Sequence, residues 1–249
     1  MKRVLIVLPV LNEALVLEQS VDTLREFCRQ HLSDFDWRLL IADNGSSDRT
    51  VHIAQSLASA HLGVDFVTSP LRGRGRALAN AWTRALGSAD VLAYMDVDLS
   101  SDLKALPNLL RAIGDGGDVA FGSRYESMSR VQRSFLREVT SRAYLGLARR
   151  SLAIRAGDLQ CGFKAVSADA WRRLAGRVTH PGWFFDTELL LWAERDGLRT
   201  VAVPVLWVEA RNVRRRSTVG VVRTTLGYLL DVARLRLRLW GLIGSAYRA

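Results

Sequence analysis

Val91-Leu-Ala-Tyr-Met-Asp-Val-Asp98 is an apolar run of five residues that leads directly into two carboxylates spaced i, i+2. Five apolar residues are too few for a buried helix and read as a strand covered on both faces. The same unit recurs on either side. Arg3–Leu8, Trp37–Ala42, Val64–Val67 and Val119–Phe121 are further strand-like runs, separated by helical patterns at about 13–31, 47–60, 75–86 and 102–113. This alternation predicts an α/β fold with a mostly parallel central sheet and helices on both faces. Ligands of such sheets bind beyond the carboxyl ends of the strands. Here those ends carry Pro9, Asn12 and Glu13; Asp43, Asn44 and Gly45; Asp96 and Asp98; and Gly122, Ser123 and Arg124.

Beyond residue 123 the rhythm loosens. A helix is expected over about 131–150, and a short apolar segment, Gly162–Val166, follows Asp158-Leu-Gln-Cys161. Helices near 168–175 and 187–195 precede a strand near Thr200–Val208. There is no internal repeat and no Pro/Ser-rich linker, so the simplest partition is a catalytic domain, 1–210, and a basic amphipathic extension, 211–249. In that extension Val222, Leu226, Leu229, Leu230, Ala233, Leu237 and Trp240 recur at three-to-four-residue spacing, with Arg223, Arg234 and Arg238 elsewhere on the wheel. The extension is expected to lie on a membrane surface or to pack as a helix on the catalytic domain or on a second copy.

Composition narrows the class. With 49% hydrophobic and 24% charged residues among 249, the chain is too apolar for disorder and long enough to bury a core unaided. Cys28 and Cys161 are the only cysteines, which excludes a disulfide framework and a cysteine-rich zinc site and favours a reducing compartment. The net charge is +10, and 32 of the 35 basic residues are arginine. Eight of those net charges fall from Arg199 onward, which suggests an anionic partner surface, phospholipid or nucleic acid. No recognisable nucleic-acid module or aromatic stacking platform accompanies the arginines, so nucleic acid is set aside. No signal peptide and no run of about 20 apolar residues is visible. The expectation is therefore a cytoplasmic protein, peripheral at the cytoplasmic face of a membrane.

Three motifs carry chemistry. Asp96 and Asp98, leaving a strand together, suit Mg²⁺ or Mn²⁺, because hard cations prefer oxygen ligands and fill their shell with substrate phosphates; capping of the next helix by Asp98 or Ser100 is the alternative. Asp43-Asn-Gly-Ser-Ser-Asp48 can hold a base or ribose through Asp43, or can simply make a turn and cap. Arg72-Gly-Arg-Gly-Arg76 combines glycines that admit close backbone approach with Arg74 and Arg76, which suit phosphate; a solvated loop is the alternative.

In order along the chain, Leu8-Pro-Val-Leu-Asn-Glu13, Ala42-Asp-Asn-Gly-Ser-Ser-Asp-Arg-Thr50, Gly73-Arg-Gly-Arg-Ala-Leu78 and Asp96-Val-Asp98 resemble the family 2 glycosyltransferases of GT-A fold. Gly122-Ser-Arg124, Asp158-Leu-Gln-Cys-Gly-Phe-Lys164 and Phe184-Phe-Asp-Thr-Glu-Leu189 narrow the resemblance to dolichyl- and polyprenyl-phosphate mannose and glucose synthases. It implies a nucleotide pocket lined by Pro9, Asn12 and Glu13, with Asp43 on the base or ribose. It implies a metal on Asp96 and Asp98 bridging the donor diphosphate, and Gln160 facing the sugar or diphosphate. Arg124, Arg137 and an arginine of the 214–216 run, Arg214 among them, would grip the acceptor phosphate; many relatives carry Ser-Lys near that run, and this chain has no lysine there. The implied reaction is inverting transfer of mannose or glucose from a nucleoside-diphosphate sugar to polyprenyl phosphate. The alternatives are transfer to a sugar hydroxyl, with Asp186 as base and Glu188 second, and a catalytically silent scaffold. A membrane protein or a second copy is a further candidate partner.

Overall fold

The computed structural model describes residues 1–132, 135–208 and 221–241, with side chains for 1–131, 138–208 and 227–241. The elements are β1 (Lys2–Val10), α1 (Leu17–His31), β2 (Phe35–Asp43), α2 (Thr50–Ala60), β3 (Val64–Thr68), α3 (Arg74–Arg84), β4 (Val91–Met95), α4 (Leu106–Gly114), β5 (Val119–Ser123), β6 (Arg130–Gln132), α5 (Phe135–Leu152), β7 (Phe163–Ser167), α6 (Ala168–Leu174), α7 (Phe185–Arg195), β8 (Thr200–Pro204), β9 (Leu206–Val208) and α8 (Val221–Leu239). Seven strands form one sheet in the order β3-β2-β1-β4-β7-β5-β8. All neighbours are parallel except β7, which runs antiparallel between β4 and β5.

Because side chains alternate along a strand, each strand feeds two cores. Val91, Ala93 and Met95 of β4 pack with α1, α2 and α4, while Leu92 and Tyr94 face α3, α5, α6, α7 and α8. All five are buried, as expected of an apolar run with helices on both sides. The antiparallel β7 brings its first residues, rather than its last, to the edge where β1, β2, β4 and β5 end. The Asp158–Gly162 approach to β7 therefore joins the site.

Three boundaries differ from expectation. The single strand at 200–208 is two: β8 stops at Pro204, which has no N–H to continue a ladder, and β9 leaves to pair with β6 in a separate two-stranded ribbon. The helix expected from Val131 starts at Phe135, because Arg130–Gln132 is that ribbon's other strand. The helix expected from Asp102 opens with a 3-10 turn, Leu103–Ala105, capped by Asp102, whose carboxylate accepts the Lys104 N–H at 3.1 Å.

The C-terminal helix has two apolar faces. Val232 and Leu235 are buried, and Tyr228 stacks 5.0 Å from Tyr144 of α5. Arg238 donates to Thr179 Oγ1 (3.1 Å), Glu188 Oε1 (3.3 Å) and the Arg177 carbonyl (3.1 Å). This inward face is not the stripe read from the sequence. Leu229, Leu230, Ala233, Leu237 and Trp240 lie on the opposite, exposed side, with exposed Arg234 and Arg236 on either flank. No described helix is long and apolar enough to cross a membrane.

Candidate active site

Tyr94 of β4 stands directly opposite Lys164 of β7 in the antiparallel register, on the face covered by α7. The first turn of α7 sets Asp186 over this pair. Asp186 Oδ1 lies 3.1 Å from Lys164 Nζ and accepts the Tyr94 hydroxyl. Its Oδ2 accepts Arg74 Nη1 at 2.9 Å. Arg74 reaches in from the start of α3, and its Nη2 donates to Asp96 Oδ1 at 2.8 Å. The guanidinium lies over the rings of Tyr94 and Trp183, 4.7 and 4.6 Å from their centres. Arg74, Lys164 and Asp186 are all buried. Two cations thus balance Asp186 and Asp96, while Asp98 has no ion-pair partner among the described residues. Burial raises the Asp96 carboxyl above the usual range; Arg74 opposes this, and the Asp98 and Asp186 charges reinforce it.

Asp96 and Asp98 leave β4 on a tight turn: the Leu99 N–H donates to the Asp96 carbonyl at 3.1 Å, with Leu99 at φ +51°. One Asp98 oxygen accepts the Ser100 N–H at 3.0 Å; the other accepts no hydrogen bond from a described residue. Among the described residues no cluster of three His, Cys, Asp or Glu side chains forms a metal cage. Two hard oxygen donors at a strand end therefore suit a divalent cation that completes its shell with phosphate and water. Gly162 makes room for this pair. A β-carbon there would fall 1.8 Å from Asp96 Oδ2. Gly162→Ala must push the carboxylate tip aside, so a hundredfold loss of activity, roughly 2.7 kcal/mol in the barrier, is expected with an unchanged circular dichroism spectrum. Wild-type rates in that variant would show that Asp96 does not need this position.

The loops after β1 and β2 are stitched together. Asn12, at φ +56°, accepts the Ser47 N–H on Oδ1 at 2.8 Å, and the Glu13 N–H donates to Thr50 Oγ1 at 2.7 Å. Pro9 is buried in β1 opposite Ala42. The buried Asp43 carboxylate accepts the Gly45 and Ser46 N–H groups at 3.2 Å and the Thr68 hydroxyl at 2.9 Å. Two of these bonds close the turn after β2, and the Thr68 hydroxyl ties the carboxylate to the neighbouring β3. A cavity of about 380 Å³ lies between β3 and α3, lined by Leu40, Val67, Thr68 and Ala81 among others; it contains none of the carboxylates of the pair and is not the reacting centre.

Two of the motifs read as ligand-facing make close contacts within the chain. The glycines of Arg72-Gly-Arg-Gly-Arg76 do not open the backbone to a ligand. A β-carbon on Gly75 would sit 2.4 Å from the His180 carbonyl, and one on Gly73 2.6 Å from that of Pro181, so both glycines admit the 180–182 loop. Arg76 follows suit, its N–H donating to the Pro181 carbonyl and its guanidinium to the Arg72 carbonyl, both at 3.1 Å. Arg124 likewise has a partner within the chain. Its Nε and Nη2 grip Asp158 at 2.7 and 2.8 Å, because a carboxylate this buried needs a cation. Arg124 holds the Asp158 carboxyl below the usual range although burial alone would raise it.

Asp158 also accepts the Gln160 N–H at 3.1 Å, which fixes the loop leading to β7. The Gln160 side chain is half-buried and reaches toward the Tyr144 and Tyr228 hydroxyls. Arg137 lies in the first turn of α5, where side chains are not described, and Arg214 lies outside the described residues. Glu188 is buried and accepts the Thr179 and His180 N–H groups, each at 2.7 Å, as well as Arg238. Burial pushes both cysteines to about 12, so neither is a nucleophile near neutrality.

Residues 5–174 match the family described as glycosyl transferase family 2. The chain belongs to glycosyl transferase family 2. Over 224 residues, 89% of this glycosyltransferase, it is 37% identical to the glycosyltransferase AglD of Haloferax volcanii. It spans 35% of that longer protein's length. It is 27% identical to the dolichyl-phosphate beta-glucosyltransferase ALG5D of Trichomonas vaginalis, across 94% of this chain and 74% of the relative. The polyprenol monophosphomannose synthase of Mycolicibacterium smegmatis is 28% identical, across 100% and 90%. In fold, the chain is similar to glucosyl-3-phosphoglycerate synthase from Mycobacterium tuberculosis, solved with Mn²⁺, UDP and phosphoglyceric acid: TM-score 0.62, 23% identity, 93% of this chain and 78% of that one. The GT-A-like α/β architecture is thereby shown.

Sequence reading missed Tyr94, Lys164 and Trp183. Tyr94 sits inside a run read as apolar filling. Lys164 had one signal, a charged residue inside the apolar segment Gly162–Val166, where an unpaired cation would be costly. Trp183 had none, since one tryptophan beside two phenylalanines reads as core.

Proposed function

We propose that this glycosyltransferase moves glucose or mannose from a nucleoside-diphosphate sugar to polyprenyl phosphate, with inversion at the anomeric carbon. The observation that carries the choice of acceptor is the engagement of both candidate bases. Asp186 faces Arg74, Lys164 and Tyr94, and Glu188 faces two backbone N–H groups and Arg238. A sugar hydroxyl needs a carboxylate to take its proton. A phosphate monoester, with a second pKa of about 6, is already an anion near neutrality and needs none. The names of the dolichyl- and polyprenyl-phosphate relatives support the same acceptor.

In this reading Asp96 and Asp98 hold a divalent cation, Mg²⁺ or Mn²⁺, which supplies positive charge to the leaving diphosphate. Arg74 fixes Asp96 and, from Asp186, takes its own position. Asn12, Glu13 and Asp43 shape the loops that receive the nucleotide, over Pro9. The Arg124–Asp158 pair holds the loop that carries Gln160 at the sugar. Arg137 and the arginines at 214–216 meet the acceptor phosphate.

The test is incubation with polyprenyl phosphate and a panel of radiolabelled UDP- and GDP-sugars, followed by lipid extraction. Label is expected in the lipid phase with one donor, and is expected to disappear with excess EDTA. Label only on a water-soluble sugar acceptor would overturn the reading.

The exposed stripe of α8 supports peripheral docking on an anionic bilayer, with residues 1–210 as the catalytic part. Apolar side chains flanked by Arg234 and Arg236 match an interfacial helix, each arginine contributing about 1 kcal/mol near the surface. Sedimentation with phosphatidylserine vesicles at 50 mM salt, lost at 500 mM, is expected. Replacing Leu230, Leu237 and Trp240 by serine should abolish it without disturbing the Val232–Leu235 face. Unchanged sedimentation in that variant would remove the stripe from the membrane.

A further inference from the structure

Trp183 is 45% exposed, immediately before the fully buried Phe184 and Phe185. Its indole is nonetheless held. The Arg74 guanidinium lies 4.6 Å from the ring centre and is itself bonded to Asp96 and Asp186. The chain before it is set by the Gly182 N–H donating to His180 Nδ1 at 3.0 Å and by the Arg76 N–H on the Pro181 carbonyl. A large aromatic surface is thus kept rigid and open to solvent, one guanidinium away from the first carboxylate of the pair.

We propose that Trp183 is the platform on which the donor's hexose ring lies; the assignment rests on the nucleotide-sugar reading above. The sugar's position follows from connectivity. The donor diphosphate must approach Asp96 and Asp98 through their cation, and the hexose is joined to its outer phosphorus through a single oxygen. A pyranose presents a face of C–H groups, and such faces stack on the electron-rich face of an indole. Sugar pockets pair such apolar walls with a few placed polar groups, and Arg74 stands beside this one. The polyprenyl chain would also favour an indole, but its reacting end is the phosphate. Its first apolar carbons lie beyond that phosphate, further from the diphosphate than the hexose.

Isothermal titration of the full chain with Mn²⁺ tests this, comparing UDP-glucose with UDP and GDP-mannose with GDP. Trp183→Ala is expected to weaken the nucleotide sugar that the wild type binds by about tenfold, and the matching free nucleotide less than twofold. Trp183→Phe, which keeps a ring over Arg74, is expected to stay within about threefold for both. Equal weakening of nucleotide and nucleotide sugar would overturn the proposal, because the indole would then only prop Arg74. Unchanged sugar affinity with a raised KM for polyprenyl phosphate would also overturn it and move the platform to the acceptor. If the wild type binds neither pair, the nucleotide-sugar reading itself falls, and this assignment with it.

Discussion

Asp98→Ala is expected to lower hexose transfer by at least about 10³-fold, roughly 4 kcal/mol in the barrier, and to leave the fold intact. Asp98 is only half-buried, and its one hydrogen bond with a described residue is from the Ser100 N–H. Little packing is lost with it. What disappears is a hard oxygen donor beside Asp96, whose own charge is already balanced by Arg74. Asp98→Asn separates the two roles, since an amide oxygen can still accept from Ser100 but brings no charge. Both variants are expected to lose Mn²⁺ binding, measured by electron paramagnetic resonance, and to melt within a few degrees of wild type. Full transfer in excess EDTA would sink the metal assignment outright.

Lys164→Met is expected to cost about 3–5 kcal/mol of stability, the usual penalty for removing one partner of a buried ion pair. In a chain of this size each kcal/mol moves the midpoint by about 2–4 °C, so a fall on the order of 10 °C is expected. Lys164 is fully buried; its ammonium donates to the Cys161 carbonyl at 2.6 Å and faces Asp186 at 3.1 Å. Without it, Asp186 keeps only Arg74 as cation. Arg74 is then drawn toward Asp186 and away from Asp96, so transfer should fall as well. The double variant Lys164→Met/Asp186→Leu removes both charges and should recover part of the lost stability, a coupling that a double-mutant cycle measures. A melting point within 1 °C of wild type for the single variant would show that the pair carries no such energy.

Local pattern settled a good deal. Each apolar run that leads into polar residues is a strand leading to the functional edge, and β4 into Asp96 and Asp98 is the clearest case. That follows from periodicity, because a residue's place within its own strand or helix is written in its near neighbours. The turn chemistry of Asp43 was also legible, as one of two readings, since its bonds reach mainly to the next three residues.

What only the tertiary structure decided are partnerships across long stretches of chain. Arg74 and Asp186 are 112 residues apart. Tyr94 faces Lys164 only because β7 enters the sheet antiparallel, a reversal that no local signal in Phe163–Ser167 announces. The same reach turned Arg124 toward Asp158 and the Gly73 and Gly75 positions toward the 180–182 loop. Buried charges must find counter-charges wherever the fold brings them. The sequence shows which residues carry charge; the packing of β4, β7, α3 and α7 decides which of those charges meet.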